Sequence, residues 1–157
     1  MKRIAFLMTM SVLIIACGGG NSNDTSVDPY ATSTTPSSQN PTYDPNRGEG
    51  KFTQIELSEK LDAEMAKSGE KIYNVKCGSC HKLSAERLVG PGWAGVTKRH
   101  TPEWIMNFAT NTDAMIDKDP EVQAQLEICL VRMPNQNIAD DEARGILEFM
   151  RKNDGVK

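Results

Sequence analysis

Two cysteines and a histidine in Cys77-Gly78-Ser79-Cys80-His81 form the cluster in this sequence with the most specific chemistry. Thiols two residues apart, within one helical turn, can add to the two vinyl groups of one porphyrin. The adjacent histidine then lies beneath the iron and supplies a ring nitrogen. C-x-x-C-H is thus a c-type haem attachment sequence, and one copy implies one haem. Competing chemistries fit less well. A thioredoxin-type pair would follow a strand in an α/β pattern, which is not found here. A zinc site would need a second ligand pair, and His100 and Cys129 offer only irregular spacing.

An iron held by His81 has a sixth position to fill. Candidates are Met65, Met106, Met115, Met133, Met150 and His100. Met65 and Met150 fall at apolar helical positions, where packing is the expected role. Met133 stands apart because Pro134 follows it, and proline biases the preceding residue toward extended backbone, hence a loop. It lies 52 residues after His81, enough chain to reach the opposite haem face. His100, between basic neighbours Lys98 and Arg99, is expected to be a solvated surface side chain.

The elements that must position these residues are helical. Leu61, Met65, Ile72 and Tyr73 lie mostly on one stripe of a first helix expected from about Ser58, its N-cap, to Lys76. Gly69 inside it predicts a close helix crossing, with Phe149 expected to lie over it. Thr101-Pro102-Glu103 starts a middle helix carrying Trp104, Ile105 and Phe108. A second starts near Asp119-Pro120 and carries Val122, Leu126, Cys129 and Leu130. A last helix over about Asp140–Lys152 places Ala143, Ile146, Leu147 and Met150 at i, i+3, i+4 and i+7. The fold class is all-α, with one core shared between apolar side chains and haem.

The 157 residues divide into three parts. Met1-Lys2-Arg3 followed by the apolar run Ile4–Ala16 is too short to span a bilayer and reads as a signal peptide over 1–16. Ile14-Ile15-Ala16-Cys17 resembles a bacterial lipoprotein signal, which implies lipidation of Cys17 after cleavage. Residues 17–50, rich in Gly, Ser, Thr, Asn and Pro, are expected to be a disordered tether reaching roughly 30 Å. Residues 51–157 hold the single domain. A net charge of −3 argues against nucleic-acid binding. The charge is uneven: residues 71–100 carry six basic side chains and one acidic, and residues 101–131 six acidic and one basic. Solvated helix faces explain this, and so does steering of the exposed haem edge toward an acidic patch on a partner. Cys129, left without an intrachain partner, is expected to be a buried thiol.

Across roughly residues 57–153 the chain resembles class I cytochromes c. The resemblance rests on Gly69-Glu70-Lys71-Ile72-Tyr73 before the motif, Gly90-Pro91-Gly92-Trp93-Ala94-Gly95-Val96 after it, and Met133-Pro134 ahead of Ile146-Leu147-Glu148-Phe149-Met150. It implies a small cytochrome c fold, with Cys77 and Cys80 binding one haem c, His81 proximal and Met133 distal. It also implies that the Pro91 carbonyl accepts the His81 ring N–H, fixing the tautomer. The implied function is electron transfer rather than catalysis. The carrier would be a monomer, lipid-anchored in the bacterial envelope and facing the periplasm. Its partners would be a quinol-oxidising donor and a terminal oxidase or periplasmic reductase. The stretch from Thr101 to Asn137 is similar to lipoprotein cytochromes associated with nitrous-oxide reductase. The alternative is a haem enzyme or gas sensor, which needs a labile sixth ligand.

Overall fold

The computed structural model describes residues 43–157. The signal peptide, Cys17 and most of the expected tether lie outside them. Among the described residues six α-helices follow one another: α1 (Ala63–Ile72), α2 (Val96–Arg99), α3 (Pro102–Thr110), α4 (Thr112–Lys118), α5 (Pro120–Cys129) and α6 (Asp140–Asn153). The described residues hold no strand, in agreement with the all-α expectation.

Helix α1 begins later than the stripe suggested. Asp62, not Ser58, caps it, its carboxylate accepting the Met65 N–H at 2.9 Å. It then widens into a π-helical turn, Tyr73–Cys77, where the Gly78 N–H reaches back to the Tyr73 carbonyl at 2.8 Å. Such insertions rotate the following residues relative to the helix and recur at functional sites. This one delivers Cys77 at the start of the motif.

Helices α1 and α6 cross at two glycines. A methyl on Gly69 would lie 1.9 Å from the Gly145 carbonyl oxygen, so the backbones meet directly. The predicted crossing is present, but Gly145 covers Gly69. Phe149 lies one turn further along α6 and packs on Tyr73, ring centroids 5.4 Å apart.

The middle of the chain follows its punctuation. Thr101 caps α3 through the Trp104 N–H at 3.1 Å, with Pro102 in the first turn. Asp119 caps α5 through the N–H groups of Glu121 and Val122 at 2.8 and 2.9 Å. Between them, α4 was not anticipated. At seven residues it is too short for periodicity to announce, and burial of Thr112, Met115 and Ile116 holds it in place.

The largest departure from expectation is at residues 43–50, assigned to the tether but folded onto the helices. Tyr43 is buried and its hydroxyl donates to Asp119, itself only 2% exposed. Asn107 donates to the Arg47 and Phe52 carbonyls, each at 2.9 Å, and Asn111 to the Glu49 carbonyl at 3.0 Å. The Glu49 N–H points at the Met115 sulfur at 3.0 Å. A polar segment with one aromatic thus becomes ordered because side chains of α3, of α4 and of the α4 cap satisfy its backbone, while Asp119 takes its tyrosine hydroxyl.

His100 is also displaced from its expected place. Its side chain is 6% exposed and stacks on Trp104, centroids 3.8 Å apart and planes 12° from parallel. The surface expectation fails because the short α2 turns the ring inward while leaving Lys98 and Arg99 exposed. Burial, reinforced by the Arg99 charge and opposed by Asp119, depresses its pKa to about 4. In the unfolded chain the ring binds its proton near pH 6.5. The stability from a neutral His100 is therefore complete above about 6.5 and lost as pH falls through about 4. Unfolding free energy is expected to drop by ~2–3 kcal/mol from this group between pH 7 and 4.5. His100→Phe, which keeps the stack, should flatten that part of the slope in urea titrations. An unchanged slope would place the acid sensitivity elsewhere.

Candidate functional site

The motif residues sit where α1 ends, and the chain from 77 to 93 folds into a frame around the imidazole. The His81 N–H bonds the Cys77 carbonyl at 3.0 Å. The Cys80 carbonyl accepts from Val89 and Gly90 at 3.2 and 2.9 Å, closing the loop that brings Pro91 beneath the histidine. The His81 Nδ1–H then donates to the Pro91 carbonyl at 2.9 Å. This leaves Nε2 as the ring atom open to a metal and fixes the ring plane. Gly90 is required for this approach, since a Cβ there would stand 2.4 Å from His81 Cε1. Burial lowers the His81 pKa, opposed by the bond to Pro91, which favours the neutral imidazole a metal needs.

Aromatic residues tie this frame to the helix crossing. Trp93 is buried 4.9 Å from Tyr73 and 5.8 Å from His81, centroid to centroid. The Tyr73 hydroxyl donates to the His81 carbonyl at 2.6 Å. Tyr73 thus joins Phe149 of α6 to the motif. Sequence reading placed it only on the apolar stripe of α1, and its hydroxyl role carried no local signal.

Of the motif cysteines, Cys77 is buried and Cys80 partly exposed. Burial pushes the Cys77 thiol up to about 11, with Lys76 pulling the other way and Cys80 adding to the rise. Met133 lies on the loop between α5 and α6, half-buried and packed against the hydrophobic core. The other methionines among the described residues have packing roles. Met106, Met115 and Met150 are buried in the core, and Met65 is half-buried on α1.

A haem fits these donors and their surroundings. Among the described residues, every large hydrophobic side chain left exposed flanks the motif or the Met133 loop: Val75, Leu88, Val89, Ile128, Leu130 and Val131. A porphyrin is the kind of apolar plate that such side chains accommodate. The Arg87 guanidinium bonds the Ile128 carbonyl at 2.6 Å, joining the two apolar segments.

The family model for Cytochrome c matches residues 66–154. The chain belongs to the cytochrome c family. The resemblance seen in its motifs is thereby established, and with it a class I monohaem cytochrome that carries covalent haem c and transfers electrons. A cytochrome c from Rhodothermus marinus shares 35% identity over 67% of this chain and 90% of that one, with a TM-score of 0.65. An engineered cytochrome c from the same organism is 34% identical over the same shares, with a TM-score of 0.64. A structure of that engineered protein bound to a carbene intermediate gives 0.61. Among curated proteins, none matches the chain.

Two sequence readings of this cytochrome c change with the geometry. Cys129 is half-buried, because α5 lies at the surface with only Val122 fully buried and Ile128 about half exposed beside the thiol. Much of the acidic charge in residues 101–131 has an internal partner. Asp119 caps α5 from within, Glu103 accepts the Ile55 N–H at 2.6 Å, and Asp113 and Asp117 bind Arg132.

Proposed function

We propose that this cytochrome c is a lipid-tethered carrier of single electrons in the bacterial envelope, facing the periplasm. Cys77 and Cys80 would hold the haem through thioether bonds, and His81 Nε2 and the Met133 sulfur would ligate its iron. Bound haem supplies the site that alternates between ferrous and ferric states. The protein's own part is to hold both ligands still. The observation that carries this reading is His81, its ring aimed by Pro91 at 2.9 Å and set beside Trp93, its carbonyl held by the Tyr73 hydroxyl. Such a frame favours transfer with little change in geometry.

The tether reading rests on the basic start, the apolar run and Cys17. Because residues 43–50 pack on the helices, the tether in this reading lies before Tyr43. The donor in this proposal is a quinol-oxidising complex. The acceptor is a terminal oxidase or periplasmic reductase, nitrous-oxide reductase being the one suggested by the sequence between Thr101 and Asn137.

Carbon monoxide tests the axial assignment against the enzyme-or-sensor alternative. Ferrous protein with both axial positions filled should bind it slowly and partially, while Met133→Ala should bind it at once. Rapid binding by the unaltered protein would favour an open site. In the same preparation, Cys17→Ser should move the cytochrome from the membrane to the soluble fraction. Retention of that variant in the membrane would defeat the lipid tether.

A further inference from the structure

The loop that carries Met133 has no regular structure of its own. It runs from Leu130, which closes α5 in the left-handed conformation with φ of 59°, to Asn137, also left-handed at 49°. Ile138 is buried and fixes the far end. Within the loop, Asn137 N–H turns back to Asn135 Oδ1 at 2.9 Å.

Its ties to the rest of the molecule flank Met133 and converge on α4. Arg132 Nη1 and Nη2 both reach Asp117 Oδ1 at 3.1 Å. Nη2 also reaches Asp113 Oδ1 at 3.3 Å, and the Asp113 carbonyl at 3.5 Å. Asn135 Nδ2 takes the other carboxylate oxygen of Asp113 at 3.3 Å. One residue before Met133 and two after it, the chain is held to the same turn of helix.

Helix α4 suits this task. Thr112, Met115 and Ile116 fix its inner side in the core, while Asp113 and Asp117, four residues apart, are both exposed. Two carboxylates at that spacing repel, and a planar guanidinium between them relieves the repulsion with several donors at once. Exposed ion pairs are individually weak, but a shared fork with an added amide forms a network.

We propose that Asp113 and Asp117 of α4 form an electrostatic clamp that holds the Met133 loop closed through Arg132 and Asn135. This rests on Met133 being the distal ligand. Arg132, Asp113 and Asp117 are then positioning residues, setting how often the sulfur leaves its place rather than touching the iron. An exogenous ligand that competes with Met133 binds in proportion to the open fraction, so releasing the clamp raises its apparent affinity.

The experiment uses the full-length, haem-loaded ferric protein titrated with imidazole, following loss of the far-red band of methionine-bound ferric haem. Raising salt from about 10 mM to about 0.5 M screens the exposed pairs and should raise imidazole affinity about three- to tenfold in the unaltered protein. The double variant Asp113→Asn with Asp117→Asn should show that raised affinity already at low salt, with little further dependence. Arg132→Lys, which keeps charge but not the fork, should fall between. If the double variant does not accumulate, the salt series and Arg132→Lys decide. Imidazole affinity equal in all variants, with equal salt dependence, overturns the clamp while leaving Met133 in place. A band that survives Met133→Ala overturns the ligand assignment and the clamp together.

Discussion

Gly69→Ala is expected to cost at least ~3 kcal/mol of stability, despite the ~1 kcal/mol that alanine gains over glycine in a helix interior. The new methyl would stand 1.9 Å from the Gly145 carbonyl oxygen and 2.3 Å from its carbon. Both are α6 backbone, so no side chain can move aside and the helices must separate. That separation loosens Tyr73 from Phe149 and, through Tyr73, the carbonyl of His81. For a domain of this size the loss corresponds to a fall in Tm of roughly 12–20 °C. The reciprocal change is much milder. A methyl on Gly145 meets the Gly69 nitrogen at 3.2 Å and the Met65 carbonyl at 3.4 Å, distances that a small shift relieves. Gly145→Ala should stay within about 1 kcal/mol of the unaltered protein. Thermal unfolding of the two variants checks the asymmetry, and equal losses would contradict the packing described here.

Asp119→Ala should cost ~3–4 kcal/mol and release the segment from Tyr43 to Phe52. The carboxylate accepts from the Tyr43 hydroxyl, from Trp104 Nε1 at 2.7 Å, and from two backbone N–H groups at the start of α5. Removing it leaves buried donors without an acceptor, each worth ~1–3 kcal/mol, and removes a helix cap worth ~1 kcal/mol. Fraying returns Tyr43 to water and recovers part of that cost. Tyr43→Phe removes one bond only and should cost about 1 kcal/mol. Hydrogen exchange gives the direct readout. Amides of Phe52 and Ile55, bonded to Asn107 at 2.9 Å and Glu103 at 2.6 Å, should lose protection in Asp119→Ala and largely keep it in Tyr43→Phe. Protection unchanged in Asp119→Ala would mean that the segment is held by other contacts.

What could be read from the sequence was local in origin. The attachment motif is contiguous, and α3, α5 and α6 carry their own start signals at Thr101-Pro102, Asp119-Pro120 and Asp140-Asp141-Glu142. Gly69 announced a crossing because glycine inside an amphipathic helix needs a reason. What escaped was long-range. The order of residues 43–50 comes from side chains 60 to 76 positions away, which composition cannot reveal. His100 looked solvated beside Lys98 and Arg99, and only the stack on Trp104 removes it from water. The grip of α4 on Arg132 was invisible while α4 itself went unrecognised. Proline after Met133 marked the loop, but nothing in that dipeptide says what holds it.

The proposed site is a haem iron held between His81 and Met133. It is tested most directly by the far-red absorption of the ferric protein, unaltered and as Met133→Ala. Methionine sulfur on ferric haem gives a weak charge-transfer band in that region, and the account predicts the band in the unaltered protein and its loss in the variant. A band that persists in Met133→Ala would assign the ligand to another methionine. Absence from both would contradict methionine ligation altogether and return the sixth position to a nitrogen donor, water or an open site.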